Sequence, residues 1–352
     1  MVALPPPPRL IYDLSFADLA ALMDEWGEPS YRARQIWNGL YGSFWNDAAQ
    51  FTNLPLTLRA RLAETFCFQP LTPRKWLTSP DGLTCKTLFT LPDGQPLEAV
   101  LMQYEERNTI CLSTQVGCAM GCVFCATGQM GFRRHLSSGE IVAQAMYYAR
   151  LLQSQGQTVS NIVLMGMGEP FHNYTNTMAA IDRLNDAQGY NFGARRITIS
   201  TVGLVPGIRR FTQERRQVNL AISLHAADDA LRASLLPVAR RYPLAELFAA
   251  CREYVATTGR RITFEWALIR GVNDSPQQAR LLARQLQGLL CHVNLIPLNP
   301  TTRYPGQPAG RASAEAFCTI LKQAGIPCTI RLRRGAEIQA GCGQLGNAVE
   351  RT

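Results

Sequence analysis

The sequence of 352 residues lacks the features that would take a chain into or across a membrane. No apolar run approaches the ~18 residues of a membrane span. The opening Met1-Val2-Ala3-Leu4-Pro5-Pro6-Pro7-Pro8 has neither the basic start nor the hydrophobic stretch of a signal peptide. Lysine is scarce: only Lys75, Lys86 and Lys322 occur, and every other basic side chain is arginine. Charged residues make up 17% against 47% hydrophobic, which excludes an intrinsically disordered chain. The length suits one large α/β domain of roughly 200–250 residues with a smaller companion. The missing leader predicts a reducing cytoplasm. There, eleven cysteines serve as thiols, ligands or catalysts rather than structural disulfides. A net charge of +9 is a weak pointer to a polyanionic partner, because an arginine bias also follows from genome composition.

Residues 1–70 read as a helical front end. Ser15 can cap a helix carrying Leu19, Leu22 and Met23 on one face, closed by Gly27, and Tyr31–Tyr41 and Leu56–Phe66 repeat the pattern. Over 71–104 the pattern turns to short strands punctuated by Pro80-Asp81-Gly82 and Pro92-Asp93-Gly94-Gln95, a β-rich connector. From 105 to 335 strand and helix alternate. Strand-like runs lie at Thr109–Gln115, Asn161–Met165, Arg196–Thr201, Val218–Leu224, Arg261–Leu268, His292–Ile296 and Cys328–Leu332. Helical patterns lie at Gly139–Gln153, Thr175–Asp186, Leu244–Thr257, Pro276–Leu289 and Ala312–Ala324, the first opened by a Ser137/Glu140 capping box. The predicted fold is α/β, a partial (β/α)6 barrel whose chemistry sits in loops after the strands' carboxyl ends. A tail, 336–352, follows.

The informative motifs fall in those loops. Cys118, Cys122 and Cys125 stand at C-x3-C-x2-C spacing just after the first barrel strand, a pattern that chance supplies with probability of about 0.01. A zinc site with His135 as fourth ligand is one reading, but structural zinc usually pairs two ligand couples and no second couple follows. Three thiolates would instead leave one iron of a 4Fe-4S cube open to a small-molecule chelator. In that spacing, and with Phe124 before the last cysteine, the triplet resembles the radical S-adenosylmethionine (SAM) enzymes. The resemblance implies that SAM's amino and carboxylate groups bind the open iron. Reductive cleavage of SAM then gives a 5′-deoxyadenosyl radical.

Met165-Gly166-Met167-Gly168-Glu169-Pro170 follows the second strand, where glycines admit a ligand close to the backbone and a carboxylate can meet an ammonium group. Alone it would be an ordinary strand-to-helix turn; beside the triplet it is similar to the Gly-Gly-Glu-Pro segment of radical SAM enzymes. Ser200 ends the third strand, Ser223-Leu224-His225 the fourth, and Asn299 lies past the sixth. Each singly is a common capping or turn residue. Together they line one rim and mark, with Gly168 and Glu169, the cofactor-binding set.

Cys111, seven residues before the triplet, and the tail segment Arg333–Leu345 with Cys342-Gly343-Gln344-Leu345 complete a pattern that resembles the RlmN/Cfr family of radical SAM RNA adenine methyltransferases. The likeness runs over nearly the whole chain, including Tyr31–Trp37. It departs at Gly341, where the family usually has Ala, and at Glu337, where it usually has Asp.

The resemblance implies roles. Two SAM molecules serve each turnover, the first methylating Cys342 and the second yielding the radical that takes a hydrogen from that methyl group. The resulting radical adds to the adenine ring, Glu98 removes the ring proton, and Cys111 resolves the crosslink through a transient disulfide with Cys342. The remaining cysteines, Cys67, Cys85, Cys251, Cys291, Cys318 and Cys328, sit among apolar neighbours and read as core thiols.

The same resemblance implies an adenine of 23S rRNA near the peptidyl transferase centre and an adenine beside a tRNA anticodon as substrates. A flavodoxin-like electron donor and a monomer come with it. Arg334-Gly335-Ala336-Glu337-Ile338 favours methylation at C2 (the RlmN type) over C8 (the Cfr type). Arg133, Arg134 and the pairs at 195–196, 209–210, 215–216 and 240–241 could meet RNA phosphates, although arginine pairs on helices are more often solvated faces than sites. Two other classes fit the sequence. A basic, non-catalytic RNA-binding protein with a structural metal would show no cluster. A radical SAM enzyme with a non-RNA substrate would not need the helical front end or Cys342.

Overall fold

The computed structural model describes residues 9–331 and 333–346; Met1–Pro8, Leu332 and 347–352 lie outside the described residues. The leader reading therefore falls outside them, as do the end of the run Cys328–Leu332 and the last part of the tail. Among the described residues no helix is long and apolar enough to cross a membrane.

Ten strands form one sheet whose spatial order follows the chain. Three antiparallel strands come first: β1 (Thr72–Thr78), β2 (Thr84–Thr90) and β3 (Pro96–Tyr104). Seven parallel strands continue the sheet: β4 (Arg107–Cys111), β5 (Asn161–Leu164), β6 (Ile197–Thr201), β7 (Asn219–Ser223), β8 (Ile262–Leu268), β9 (Cys291–Pro297) and the short β10 (Cys328–Ile330). β4 joins the two parts, pairing antiparallel with β3 and parallel with β5. The connector read from the sequence is thus a direct extension of the barrel sheet. Pro-Asp-Gly turns make its hairpins tight: Gly82 N–H donates to Ser79 O at 2.8 Å and Gly94 N–H to Leu91 O at 2.9 Å.

Helices Ser138–Gln153, Tyr174–Asn185, Val205–Gln213, Leu244–Thr258, Pro276–Leu286 and Arg311–Gln323 cover the outer face of the parallel part. The strands are buried on both sides, so their sequences are near-continuous apolar runs such as Asn219-Leu-Ala-Ile-Ser223. Among the elements outside the runs that periodicity predicts, two helices have clear local causes. Val205–Gln213 begins Val-Pro-Gly, which looks like a breaker, yet proline in a first turn costs no hydrogen bond. Asp229–Leu235 is short and depends on Asp228, whose carboxylate accepts from Leu231 N–H at 2.8 Å. The run Thr109–Gln115 is not one strand. Beyond Cys111 the backbone leaves the sheet, because Gln144 takes Ser113 N–H at 2.9 Å and Met167 O takes Thr114 N–H at 2.8 Å. Gln115–Gly117 then pairs with Phe132–His135 as a separate hairpin.

The front end packs three helices, Phe16–Glu25, Tyr31–Tyr41 and Leu56–Thr65. Ser15 caps the first through a box closed by Asp18. Ala33, Ile36, Trp37 and Leu40 bury one face of the second. Tyr41 and Phe16 flank Trp37 at 4.5 and 5.7 Å between ring centroids. Asp13 docks this unit on the barrel: its carboxylate accepts from Gly139 N–H at 2.6 Å and Ser138 Oγ at 3.0 Å, capping a barrel helix from outside.

Candidate active site

A cavity opens at the carboxyl ends of the parallel strands, lined by Cys118, Cys122, Cys125, Gly168, Glu169, Ser200, Ser223, His225, Glu265, Asn299 and Cys342 among others. The cysteine loop is shaped by close backbone contacts. Gly117 takes φ +72°, and a Cβ there would lie 1.9 Å from Gly131 O, the acceptor of Cys118 N–H at 3.0 Å. Cys125 N–H donates to Cys122 O at 3.1 Å, drawing the loop into a turn before the helix Ala126–Gln129.

Burial pushes all three thiols up, Cys118 to about 12, and Cys118 and Cys122 are raised further by the charges of neighbouring cysteines. A cationic group would reverse that penalty. Among the described residues no three His, Cys, Asp or Glu side chains converge where a single ion could be held. The zinc alternative with His135 therefore fails; His135 Nδ1 lies 3.0 Å from Gln115 Nε2, and its ring packs on His172. A 4Fe-4S cube needs no such convergence, because each thiolate binds its own iron, so the three residues fit a cluster.

Glu169 is fully enclosed. Its carboxylate accepts from Phe171 N–H at 3.0 Å and Val202 N–H at 2.8 Å, while burial raises it to about 7. Its own N–H donates to Gln115 Oε1 at 2.8 Å. Gly168, at φ +102°, leaves no space for a Cβ, which would meet the Gln115 side chain at 2.6 Å. Gln115 and Glu169 thus build the loop beside the cysteines. Ser200 Oγ and Ser223 Oγ lie 3.3 Å apart. His225, in the left-handed region at φ 61°, accepts Ala267 N–H at 2.9 Å and packs edge-on to Phe124. Leu224 is not in the cavity wall; it is buried, and Arg232 Nε donates to its carbonyl at 3.2 Å.

The tail lies across this mouth. Ala126 N–H donates to Gly343 O at 2.7 Å and Thr127 Oγ1 to Leu345 O at 2.7 Å, pinning the tail to the cysteine loop. Asn299 Nδ2 donates to Cys342 O at 3.1 Å, and Gln344 Nε2 to Pro300 O at 2.9 Å. Asn299 lines the cavity, and among the described residues its Oδ1 is buried without a partner. An Ala Cβ at Gly341 would come within 2.6 Å of that Asn299 amide, so the departure at Gly341 goes with a close approach of the tail.

Cys342 presents its thiol to the cavity, and its pKa is raised by the enclosing walls and by Glu265. Cys111 ends β4. It is a free, buried thiol, raised first by burial and then by the charge of Cys342. Glu98 and Cys111 lie outside the cavity wall. Glu98 is buried in β3; its Oε2 accepts Gly346 N–H at 2.9 Å and lies 3.4 Å from Lys86 Nζ. Of the remaining cysteines, Cys251, Cys291, Cys318 and Cys328 are buried, whereas Cys67 and Cys85 are partly exposed.

Three participants escaped the pattern reading: Gln115, Lys86 and Glu265. Glu265 interrupts the apolar strand Ile262-Thr-Phe-Glu-Trp-Ala-Leu268, and a lone acid in such a run is a usable signal. Its Oε1 accepts Asn294 Nδ2 at 2.9 Å. Several of the arginines read as phosphate contacts already hold acidic partners. Arg134 binds Glu140 at 2.8 Å and Asp93 at 2.5 Å, Arg209 and Arg210 face Glu253 and Glu214, and Arg216 faces Glu214 and Asp182. Arg133, Arg195, Arg196, Arg215, Arg240 and Arg241 are exposed.

A parallel half-barrel with three unbridged thiols in the loop after its first strand is the architecture of a radical SAM protein, and residues 112–282 match the Radical SAM superfamily. Residues 11–68 match the ribosomal RNA large subunit methyltransferase N-terminal domain. A probable dual-specificity RNA methyltransferase RlmN of Chloroflexus aurantiacus is 53% identical over 351 residues, spanning 96% of this chain and 92% of that one. Dual-specificity RNA methyltransferase RlmN 1 of Myxococcus xanthus is 50% identical, spanning 97% and 95%. The crystal structure of a radical SAM methyltransferase from Sphaerobacter thermophilus superposes with a TM-score of 0.94 at 54% identity, over 96% of this chain and 99% of that one. The chain belongs to the RlmN family.

Proposed function

We propose that this chain methylates C2 of an adenine in 23S rRNA and C2 of the adenine beside the anticodon of tRNA. The observation that carries the reading is the tail: Cys342 is held over the cysteine loop by Asn299, Ala126 and Thr127, and Glu98 binds the same tail at Gly346.

Cys118, Cys122 and Cys125 would hold the 4Fe-4S cluster, and Gly168, Glu169, Ser200, Ser223, His225 and Asn299 would enclose SAM, with the chain near Leu224 shaping the wall. When bound, the cluster would supply one electron and take one back as the crosslinked ring loses its proton, and SAM would supply the methyl group and the hydrogen-abstracting radical. The protein's part is to carry, position and release. The Cys342 sulfur carries the one-carbon unit to the adenine, which solves a real difficulty, since a ring carbon of adenine is too poor a nucleophile to displace methyl from SAM. Glu98 accepts the proton lost from the ring carbon. The Cys111 thiolate attacks the Cys342 sulfur; an S–S bond forms and the S–C bond breaks. Its electron pair leaves with the carbon, which takes up a proton as the product methyl group. A two-electron reductant must then reopen the disulfide, so the chemistry belongs in a reducing cytoplasm. A flavodoxin-type donor and a monomeric enzyme complete the reading.

The test is anaerobic turnover with SAM, reductant and either rRNA or tRNA, followed by mass spectrometry of the digested RNA. 2-Methyladenosine from both RNAs is expected. 8-Methyladenosine would move the chain to the Cfr type, and no methylated adenine would sink the proposal.

A further inference from the structure

Register places three polar side chains on one face of the antiparallel extension. Lys86 pairs with Val100, Leu88 with Glu98, and Val100 with Cys111. Residues two apart on a strand share a face, so Lys86, Glu98 and Cys111 all project toward the tail. Lys86 and Glu98 are both completely enclosed, with Nζ at 3.4 Å from Oε2 and 3.5 Å from Oε1. The same ammonium donates to Gln339 O at 2.9 Å, and the same carboxylate accepts Gly346 N–H at 2.9 Å. The ion pair therefore grips the tail on both sides of Cys342. Gln339 sits in the left-handed region at φ 56°, a conformation that a non-glycine residue keeps only with outside support, and the Lys86 bond to its carbonyl provides it.

A carboxyl group buried in an apolar sheet tends toward its neutral form, in which it cannot accept a proton, and an adjacent cation opposes that tendency. Removing one member of such a pair leaves an uncompensated buried charge. We propose that Lys86 is a positioning residue of the methylation reaction. Its ammonium keeps Glu98 anionic and ties it to the tail backbone, so that the base and the methyl carrier Cys342 are set as one unit. The inference rests on the function proposed above.

The readout is the covalent RNA–protein adduct formed before release, resolved by denaturing gel and mass spectrometry, with Cys111→Ala as the reference that traps it. Lys86→Met keeps the stem and deletes the charge. If Lys86 serves Glu98, Lys86→Met raises the adduct about tenfold over wild type, because release waits on proton removal. In a Lys86→Met variant that has assembled its cluster, a lowered or an unchanged adduct level overturns the proposal. In a Glu98→Gln background Lys86→Met should change the adduct by less than about twofold, whereas independent multiplying effects would refute a shared role. Should Lys86→Met fail to assemble its cluster, the double variant, freed of both charges, is compared with Glu98→Gln alone; equal adduct supports the proposal and a tenfold drop (roughly 1.4 kcal/mol) defeats it. Lys86→Arg, which keeps the charge, should bring the adduct back toward the wild-type level. If wild type yields no 2-methyladenosine and Cys111→Ala traps nothing, the RNA methylation reading itself fails, and this inference falls with it.

Discussion

Gly346 donates its backbone N–H to the Glu98 carboxylate at 2.9 Å, a contact between residues 248 positions apart. It closes the C-terminal tail onto the third strand of the antiparallel extension and carries Cys342 over the cysteine loop. The tail has no regular secondary structure to hold it there. It is fixed instead by discrete bonds to Lys86, Glu98, Ala126, Thr127, Asn299 and Pro300.

The release step proposed above depends on Cys111. Cys111→Ala should accumulate a covalent RNA–protein adduct and give little free methylated RNA, seen as a retarded protein band that ribonuclease collapses. Normal turnover by this variant would remove Cys111 from the mechanism.

Cys118, Cys122 and Cys125 are expected to act as a set. After anaerobic reconstitution the wild-type chain should show the broad visible absorbance of an iron–sulfur cluster, and Cys118→Ala should lose it together with SAM cleavage. A variant that kept both would show that the cluster is held elsewhere.

Arg232 is fully buried and bonds three carbonyls, Val202 O at 2.7 Å, Leu224 O at 3.2 Å and Tyr242 O at 3.4 Å. It ties the loops after β6 and β7 to the segment before helix Leu244–Thr258. Arg232→Met would leave those acceptors unsatisfied and should cost about 3 kcal/mol, read as a lower urea midpoint. An unchanged midpoint would mean that water replaces the guanidinium.

His225 links pH to stability. Burial, then the Arg232 charge, lowers its pKa from 6.5 to about 3. Above pH 6.5 both folded and unfolded states hold a neutral ring, so the contribution is complete. As pH falls, the unfolded chain binds a proton that the folded ring refuses. Stability should drop by up to about 1.4 kcal/mol per pH unit toward pH 3. His225→Gln should flatten this dependence in urea titrations between pH 7 and pH 4; parallel curves for the two proteins would contradict it.

What was legible in advance follows from the range of the forces involved. Alternation of strand and helix, capping by Ser15 and Ser137, and the Pro-Asp-Gly turns are local, so the sequence announced them. The Cys118–Cys125 loop was legible because its spacing is itself the ligand geometry. The end of β4 was not, since Gln144, thirty-one residues away, takes Ser113 N–H. Leu224 looked like its neighbours at a strand end, yet it turns into the core while Ser223 and His225 face the cavity.

By itself, then, the sequence determined most of the alternation of strand and helix, the parallel class of the barrel part of the sheet and the family, because periodicity and motif spacing are properties of neighbours along the chain. Tertiary structure alone decided that Lys86, Glu98, Cys111 and the tail share one face. Strand register sets one part of that arrangement through pairs at hairpin separations, and the path of the tail sets the other through contacts some 250 residues apart, 253 for Lys86 to Gln339 and 248 for Gly346 to Glu98. It also decided that several arginines which looked free for RNA are held by carboxylates of their own fold.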